Sequence, residues 1–255
     1  MTVHKRPWLG PLLLVLVAVG ALVMIGLGLW QLQRLGDRRA ANAQIRARMA
    51  QPPADLAQQS GGLPEYTPVL AKGVYDFSNE IVLRNRAHDQ EPGVHVLTPL
   101  RLAGSDQAVL VDRGWIPYTE ADPAARALYD RPGTLVTITG LARPSQVRTF
   151  FLLPADPTAS PDAPRLDSWF WINLPQIQGQ VPYPLLPFFL EAAPQADQSI
   201  LPVSGYDDID LSDGPHLSYA IQWFSFTAIL IAGSLVLWRQ ARLEARRGGA
   251  PPAAT

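Results

Sequence analysis

His216 is the residue whose type and setting most readily do chemistry. It follows Gly214-Pro215 at the head of a long apolar run. On a helix it would share a face with Tyr219 or Ala220 and with Trp223, at spacings of three, four and seven. An imidazole at a membrane boundary beside aromatic rings is suited to ligating the iron of a flat apolar macrocycle. The same imidazole is also suited to capping the helix or to hydration among headgroups. A second constellation is Asp112-Arg113-Gly114-Trp115. Neighbouring residues on a strand point to opposite faces, so Asp112 and Arg113 cannot pair with each other and each needs another partner. The architectural reading pairs Arg113 within the domain, gives Gly114 a bulge or close backbone approach, and packs Trp115. The dipeptide His88-Asp89, followed by Glu91-Pro92-Gly93, reads as a hairpin loop rather than half of a metal site. His95, inside an apolar run, reads as a hydrogen-bonded packing residue.

Other chemistries are excluded by composition. The 255 residues include no Cys, which removes CxxC redox exchange, c-type haem attachment, thiolate zinc sites and cysteine copper relays. Three Met residues rule out a Met-rich copper carrier. GxSxG, HExxH, P-loop and GxGxxG patterns are missing, so no hydrolase or nucleotide-binding motif is present.

The elements that would position His216 are membrane spans. Pro7 to Gln33 and Gly214 to Trp238 contain no Asp, Glu, Lys or Arg, and Leu9–Trp30 and Leu217–Trp238 each supply 22 residues. A hydrocarbon core of about 30 Å needs about 20 helical residues. The competing reading of the first run is a signal peptide, whose apolar region is only about 7–15 residues long. Trp8 and Trp30 bracket the first span; Tyr219, Trp223 and Trp238 mark the ends of the second. Gln31 to Ala50 reads as the first helix continuing beyond the lipid, weakened at Gly36 and ended by Pro52-Pro53. The file Ser218, Gln222, Ser225, extended by Ala228 and Ala232, suggests that the second helix packs on a protein partner, with the first span as the candidate.

Orientation follows from the second span. Arg239, Arg242, Arg246 and Arg247 lie after it, while the stretch before it carries Asp197, Asp207, Asp208, Asp210 and Asp213 and no Lys or Arg. That asymmetry puts the tail in the cytoplasm. The first span is less clear, with Lys5 and Arg6 facing Arg34, Arg38, Arg39, Arg46 and Arg48. The expected plan is a cytoplasmic N-terminus (1–8), a membrane helix (9–30), a periplasmic β-rich domain (31–214), a second membrane helix (215–238) and a cytoplasmic tail (239–255). His4 then lies across the bilayer from His216, and the two cannot share one haem. Six of the 21 basic and one of the 22 acidic residues fall outside positions 34–213, leaving 15 against 21, a net of −6. Nucleic acid is not an expected partner.

In the middle domain, apolar runs broken by Gly, Pro, Asn and Asp predict seven strands: Pro68–Tyr75, Glu80–Arg86, Gly93–Leu102, Gln107–Ile116, Thr134–Ala142, Ser168–Leu174 and Pro187–Ala193. They suggest an antiparallel barrel or sandwich. In Gln107–Ile116, Ala108, Leu110, Asp112 and Gly114 fall on one face and Val109, Val111, Arg113 and Trp115 on the other, as in a central strand. Thr119–Tyr129 reads as a short helix, and Pro154–Pro164 as a loop.

Four segments, taken in order, carry a resemblance. They are Gly28-Leu29-Trp30-Gln31-Leu32-Gln33-Arg34-Leu35, Pro92-Gly93-Val94-His95-Val96-Leu97-Thr98-Pro99-Leu100, Val111-Asp112-Arg113-Gly114-Trp115-Ile116-Pro117 and His216-Leu217-Ser218-Tyr219-Ala220-Ile221-Gln222-Trp223-Phe224. The chain resembles the surfeit locus protein 1 family of cytochrome oxidase assembly factors. The resemblance implies a non-enzymatic factor of the bacterial inner membrane that binds or hands over haem a during maturation of subunit I of the haem-copper oxidase. His216 would be an axial ligand of the haem iron, a role carried over for that residue alone; Tyr219 and Trp223 join it from helix geometry. Trp30, Gln31, Arg34, Asp112, Arg113, Gly114 and Trp115 are motif residues with structural or partner-contact roles. The implied partners are oxidase subunit I, haem a synthase and the lipid bilayer. The alternative is a cofactor-free scaffold that stabilises an oxidase assembly intermediate. Two departures stand out: Gly36-Asp37-Arg38 replaces a Trp-Lys pair common in the family, and Ile172-Asn173 replaces an Arg-Asp pair after Trp169-Phe170-Trp171.

Overall fold

The computed structural model describes residues 9–59, 61–157, 165–206 and 209–247, with the side chains of Leu9, Gln58 and 245–247 outside that description. His4, Lys5, Arg6, Trp8, Asp207, Asp208, the later part of the Pro154–Pro164 loop and the end of the tail lie outside the described residues. The chain divides into two compact units, a helical one built from its two ends and a β-rich one spanning Ile45–Asp210.

The helical unit contains most of α1 (Leu9–Met49) together with α4 (His216–Arg247). At 1.5 Å per residue the 41 residues of α1 reach about 60 Å, roughly twice a hydrocarbon core. The apolar half is therefore followed by a Gln-, Arg- and Ala-rich half of good helix formers, and the helix runs through Gly36 without a break. Both helices are long and apolar enough to cross a membrane, and only 11% of each apolar window is buried. A core helix of a soluble protein would be mostly covered. The two helices pack on each other through small residues. A Cβ at Gly28 would stand 2.6 Å from the Phe224 ring, and Ala21, Ala220 and Thr227 are buried. The expected partnership of the second helix with the first is present, but the face differs. Ser218, Gln222, Ser225, Ala228 and Ala232 are exposed, and the packed stripe runs through His216, Ala220, Trp223 or Phe224, Thr227 and Leu230. The Thr227 hydroxyl is satisfied within its own helix, donating to the Trp223 carbonyl at 3.0 Å. Polarity therefore did not mark the interface; the absence of a side chain at Gly28 did.

The β-rich unit is a barrel. Its strands are β1 (Ala54–Asp55), β2 (Pro68–Tyr75), β3 (Ile81–His88), β4 (Glu91–Leu102), β5 (Ala108–Pro117), β6 (Leu135–Pro144), β7 (Ser168–Trp169) and β8 (Leu185–Ala192). The order is β1-β2-β6-β8-β5-β4-β3-β7, and a further β2–β4 pairing closes β2, β6, β8, β5 and β4 into a ring. Each ring strand sends side chains into one cluster, including Val69, Ala71, Leu100, Val109, Val111, Ala142, Phe188 and Leu190, which is the barrel interior. The opposite face of β3, β4, β5 and β8 carries Ile81, Leu83, Leu97, Leu110 and Phe189. It is covered by Trp169, Ile172, Leu174 and Ile177.

Of the antiparallel barrel or sandwich expected from sequence, the structure has the barrel, but β5 and β8 pair in parallel. The strand expected over Ser168–Leu174 is limited to Ser168–Trp169. Asn173 accepts from the Gln176 amide and starts α3 (Leu174–Gln178), with Pro175 in its first turn. The short helix expected over Thr119–Tyr129 is α2 (Pro123–Arg126), capped by Asp122 and flanked by 3-10 turns at Tyr118–Glu120 and Ala127–Tyr129. His88-Asp89 does sit at a hairpin: Asp89 and Gln90 have φ of 48° and 68°, a two-residue turn between β3 and β4.

Candidate functional site

At the head of α4, the first helical hydrogen bond runs from the Tyr219 amide to the Pro215 carbonyl at 3.1 Å, which places His216 in the first turn. Its imidazole turns to α1 rather than capping its own helix. Nδ1 lies 2.9 Å from Oε1 of Gln31, 185 residues away in sequence. The segment leading into α4 is clasped by the polar half of α1. Arg38 Nε donates to the Ser212 carbonyl at 3.2 Å, and Arg39 reaches Asp213 at 2.8 and 2.9 Å. Asn42, almost fully buried, donates to the Leu211 and Ser212 carbonyls at 2.9 Å. Three side chains on two successive turns of α1 thus settle where His216 begins its helix. Nothing at Arg39 or Asn42 had singled them out in the sequence, because their partners are backbone groups and one Asp about 170 residues on.

The other aromatic candidates do not gather round the imidazole equally. Trp223 is half-buried and meets Phe226 edge-on at 6.2 Å. Tyr219 is 47% exposed and Trp30 52% exposed, both on the outside of the helix pair. Arg34 is also exposed, with Asp37 at 3.8 Å. Of the motif residues on α1, Gln31 is the one brought to His216.

The motif on β5 forms a separate, structural constellation in the barrel. Val96 faces Gly114 and Leu97 faces Asp112, so Arg113 is an extra residue in the ladder. Gly114 adopts φ 115°, and a Cβ there would lie 2.1 Å from the Val203 carbonyl oxygen, so only glycine fits. The Asp112 carboxylate holds this bulge: one oxygen accepts from the Gly114 amide at 3.0 Å and the other lies 2.9 Å from His95 Nδ1. His95 is therefore a hydrogen-bonded packing residue, as its sequence setting suggests. The bulge resets the alternation, which corrects the face assignment for Trp115. It pairs across from His95 on the Asp112 side rather than sharing a face with Arg113. The ring packs 5.5 Å from His88 and over Gly93.

Arg113 points into the barrel end. It donates to Glu80 at 2.9 Å, to the Tyr129 carbonyl at 3.1 Å and to Asp130 at 3.4 Å, and its guanidinium lies 5.3 Å and 5.2 Å from the Tyr75 and Phe77 rings. Glu80 also accepts from Thr98 at 2.6 Å and faces Arg126 Nε at 3.1 Å; Arg126 in turn forks onto Asp167. Burial pushes the Glu80 carboxyl above its ordinary range, against the pull of Thr98 and Arg113. Asp130 is raised too, again by burial. The sequence reading missed Glu80 and Arg126 because their partners are distant in the chain. Among the described residues no three of His, Cys, Asp and Glu come together as a metal site.

Chemically, the barrel constellation is a buried ion-paired network in which, among the described residues, Trp115 Nε1 and Arg126 Nε are the buried side-chain donors left without a hydrogen bond. At the head of α4, the imidazole engages one nitrogen with Gln31, and among the described residues its other nitrogen has no hydrogen bond.

Relatives match this sequence over most of their length. A SURF1-like protein of Monosiga brevicollis is 29% identical over 91% of this chain and 90% of its own. One of Rickettsia conorii is 27% identical over 85% and 87%, and the surfeit locus protein 1 of Homo sapiens is 25% identical over 80% and 70%. Residues 18–228, from within the first apolar helix to within the second and including both His216 and the β5 bulge, match the SURF1 family, and the chain belongs to that family.

Proposed function

We propose that this chain is a membrane-anchored assembly factor for a haem-copper cytochrome c oxidase, and that it holds haem a at His216 while subunit I matures. Family membership supports the assembly role. The observation that carries the haem role is the engagement of His216 Nδ1 by Gln31, which leaves Nε2 as the ring's second nitrogen, uncommitted among the described residues.

The residues present fit such a group. A lone imidazole is an ordinary axial donor to haem iron. A Cβ at residue 214 would stand 3.8 Å from Nε2; Gly214 has none, so no side chain from that residue crowds the nitrogen. Tyr219 and Trp223 offer aromatic surface one and two turns further along α4, and the flanking apolar residues Leu217 and Ile221 are exposed, as suits a lipid-soluble ligand. Bound haem a would supply the redox-active iron that subunit I requires. Here the chain's own part is to present one nitrogen, shield one macrocycle face and keep the ligand at the membrane boundary.

The proposed location is a bacterial inner membrane with the barrel in the periplasm. Support comes from the Arg residues in the C-terminal part of α4, beyond Trp238, set against the acidic, Arg-free approach to the helix, and from relatives in Rickettsia. Oxidase subunit I and haem a synthase are the proposed partners. No enzymatic step is assigned to the chain.

The test is coexpression of the full chain with haem a synthesis, purification in detergent and an absorption spectrum. The wild type carries a bound-haem band that His216→Ala reduces at equal protein yield. Equal haem in both proteins refutes the ligand assignment, and a pull-down from membranes lacking subunit I refutes the assembly role.

A further inference from the structure

We infer that Gln31 is the positioning residue for the iron ligand: by accepting a hydrogen bond from His216 Nδ1 it selects the tautomer whose Nε2 lone pair is free to bind iron. The inference rests on the haem reading above and gives α1 a part in a site that otherwise belongs to α4.

The argument begins with donors and acceptors. Oε1 of Gln31 stands 2.9 Å from Nδ1, and an amide oxygen only accepts, so Nδ1 carries the hydrogen and Nε2 carries the lone pair. An unpartnered neutral imidazole in water prefers the opposite tautomer, with hydrogen on Nε2, which cannot coordinate a metal through that atom. Histidine ligands in metal sites commonly give their other N–H to a carbonyl, carboxylate or water that fixes ring orientation and basicity. Here that partner comes from the facing helix.

Gln31 is well placed to do this because its own position is determined from both sides. Three residues earlier, Gly28 lets the Phe224 ring approach so closely that no larger residue fits without displacing it. Beginning seven residues later, Arg38, Arg39 and Asn42 grip the segment 211–213 that leads into α4. The two helices are thus pinned above and below the Gln31–His216 pair, and neither side chain has to search for the other. Ligand geometry is thereby coupled to helix pairing: a change that slides one helix against the other removes the acceptor from Nδ1.

A merely structural interhelical hydrogen bond would look the same in the unliganded chain and contributes only modestly to helix association in a membrane. The experiment therefore reads the imidazole and the iron as well as stability. It uses the full chain in detergent, wild type and the variants Gln31→Leu, Gln31→Glu and His216→Ala, with haem a as the titrant. The chain contains only four His, so 15N-labelled wild type and His216→Ala together identify the His216 ring signals in haem-free protein at a pH where the ring is neutral.

The expected result is hydrogen on Nδ1 in wild type and a shift toward the Nε2–H tautomer in Gln31→Leu. Haem a affinity falls ten- to a hundredfold in Gln31→Leu, the range usual for loss of such a partner. Gln31→Glu, which keeps an acceptor and cannot turn a donor toward the ring, restores affinity and lowers the midpoint potential of the bound iron by making the imidazole more electron-rich. Hydrogen found on Nε2 in the wild type overturns the inference, as does a Gln31→Leu protein whose haem affinity and potential equal wild type while His216→Ala has lost haem. If His216→Ala itself binds haem as wild type does, the haem reading fails and the inference falls with it. The two failures are therefore distinguishable.

Discussion

Replacing Arg113 by methionine would remove the cation from the end of the barrel and keep most of its apolar length. Arg113 is 13% exposed at its side chain and Glu80 only 4%, so solvent cannot repair the loss. The variant forfeits the bonds to Glu80, Asp130 and the Tyr129 carbonyl and two ring contacts. Glu80 keeps Thr98 and Arg126. Breaking one side of a buried ion pair costs about 3–5 kcal/mol, and for a body the size of residues 45–210 each kcal/mol moves the thermal midpoint by about 2–4 °C. The midpoint should therefore drop by about 6–20 °C, read from the β-sheet circular dichroism of the full chain. The sign of the pH dependence is also determined. A carboxyl whose folded pKa is raised contributes stability that is fully present below its unfolded value and is lost as pH rises through the folded one. Glu80 and Asp130 are both raised in the wild type, and losing the cation between them raises both further. The defect should thus be largest near neutral pH and shrink toward pH 5 as these groups protonate. Glu80→Gln mimics the protonated form and should cost less than Arg113→Met at pH 7. A loss under about 1 kcal/mol for Arg113→Met, or a defect that grows on acidification, would refute this reasoning.

Gly114→Ala should destabilise the barrel by about 3 kcal/mol or more, because the bulge demands a φ that alanine resists and its Cβ would meet the Val203 carbonyl; a urea midpoint near wild type would contradict the bulge. Burial alone would raise Asp76, but hydrogen bonds from Ser78, Tyr183 and Asn79 bring it below its ordinary value. Its contribution is present above the unfolded value of about 3.9 and fades as pH falls through the folded one. Asp76→Asn should therefore flatten the acid limb of stability measured by urea midpoints between pH 6 and pH 3, and an unchanged limb would count against it. Because the chain has no Cys, single Cys residues introduced at exposed Ser105 and at Arg239 report orientation without background. A membrane-impermeant maleimide added to intact spheroplasts should label the first and spare the second, and the reverse pattern would invert the proposed topology.

Much of this arrangement could be read from residue order. The two apolar runs, the helical extension of the first and most strands follow from periodicity and from Gly and Pro placement, as at Pro68–Tyr75. What escaped reading has physical causes. The run Ser168–Leu174 is aromatic and β-branched enough for a strand, yet Asn173-Leu174-Pro175-Gln176 is a helix start, and that local signal decides the outcome. A bulge cannot be counted from alternation, so Trp115 was placed on the wrong face until the register at Gly114 was known. The helix interface was sought in Ser218, Gln222 and Ser225, whereas close approach at Gly28 put Ala220 and Thr227 inside. For the site, His216 stood out by type and position. Its partner Gln31 was visible as a motif residue, but the pairing spans 185 positions and needed the helices in place.

The most direct test of the central claim is the haem a content of oxidase subunit I in membranes from cells that lack this protein and are complemented with either the wild type or His216→Ala, at matched levels of both proteins. The account predicts that wild type restores the haem a difference spectrum of subunit I and that His216→Ala leaves it low. Full restoration by His216→Ala would contradict the account and leave a scaffold without cofactor as the function.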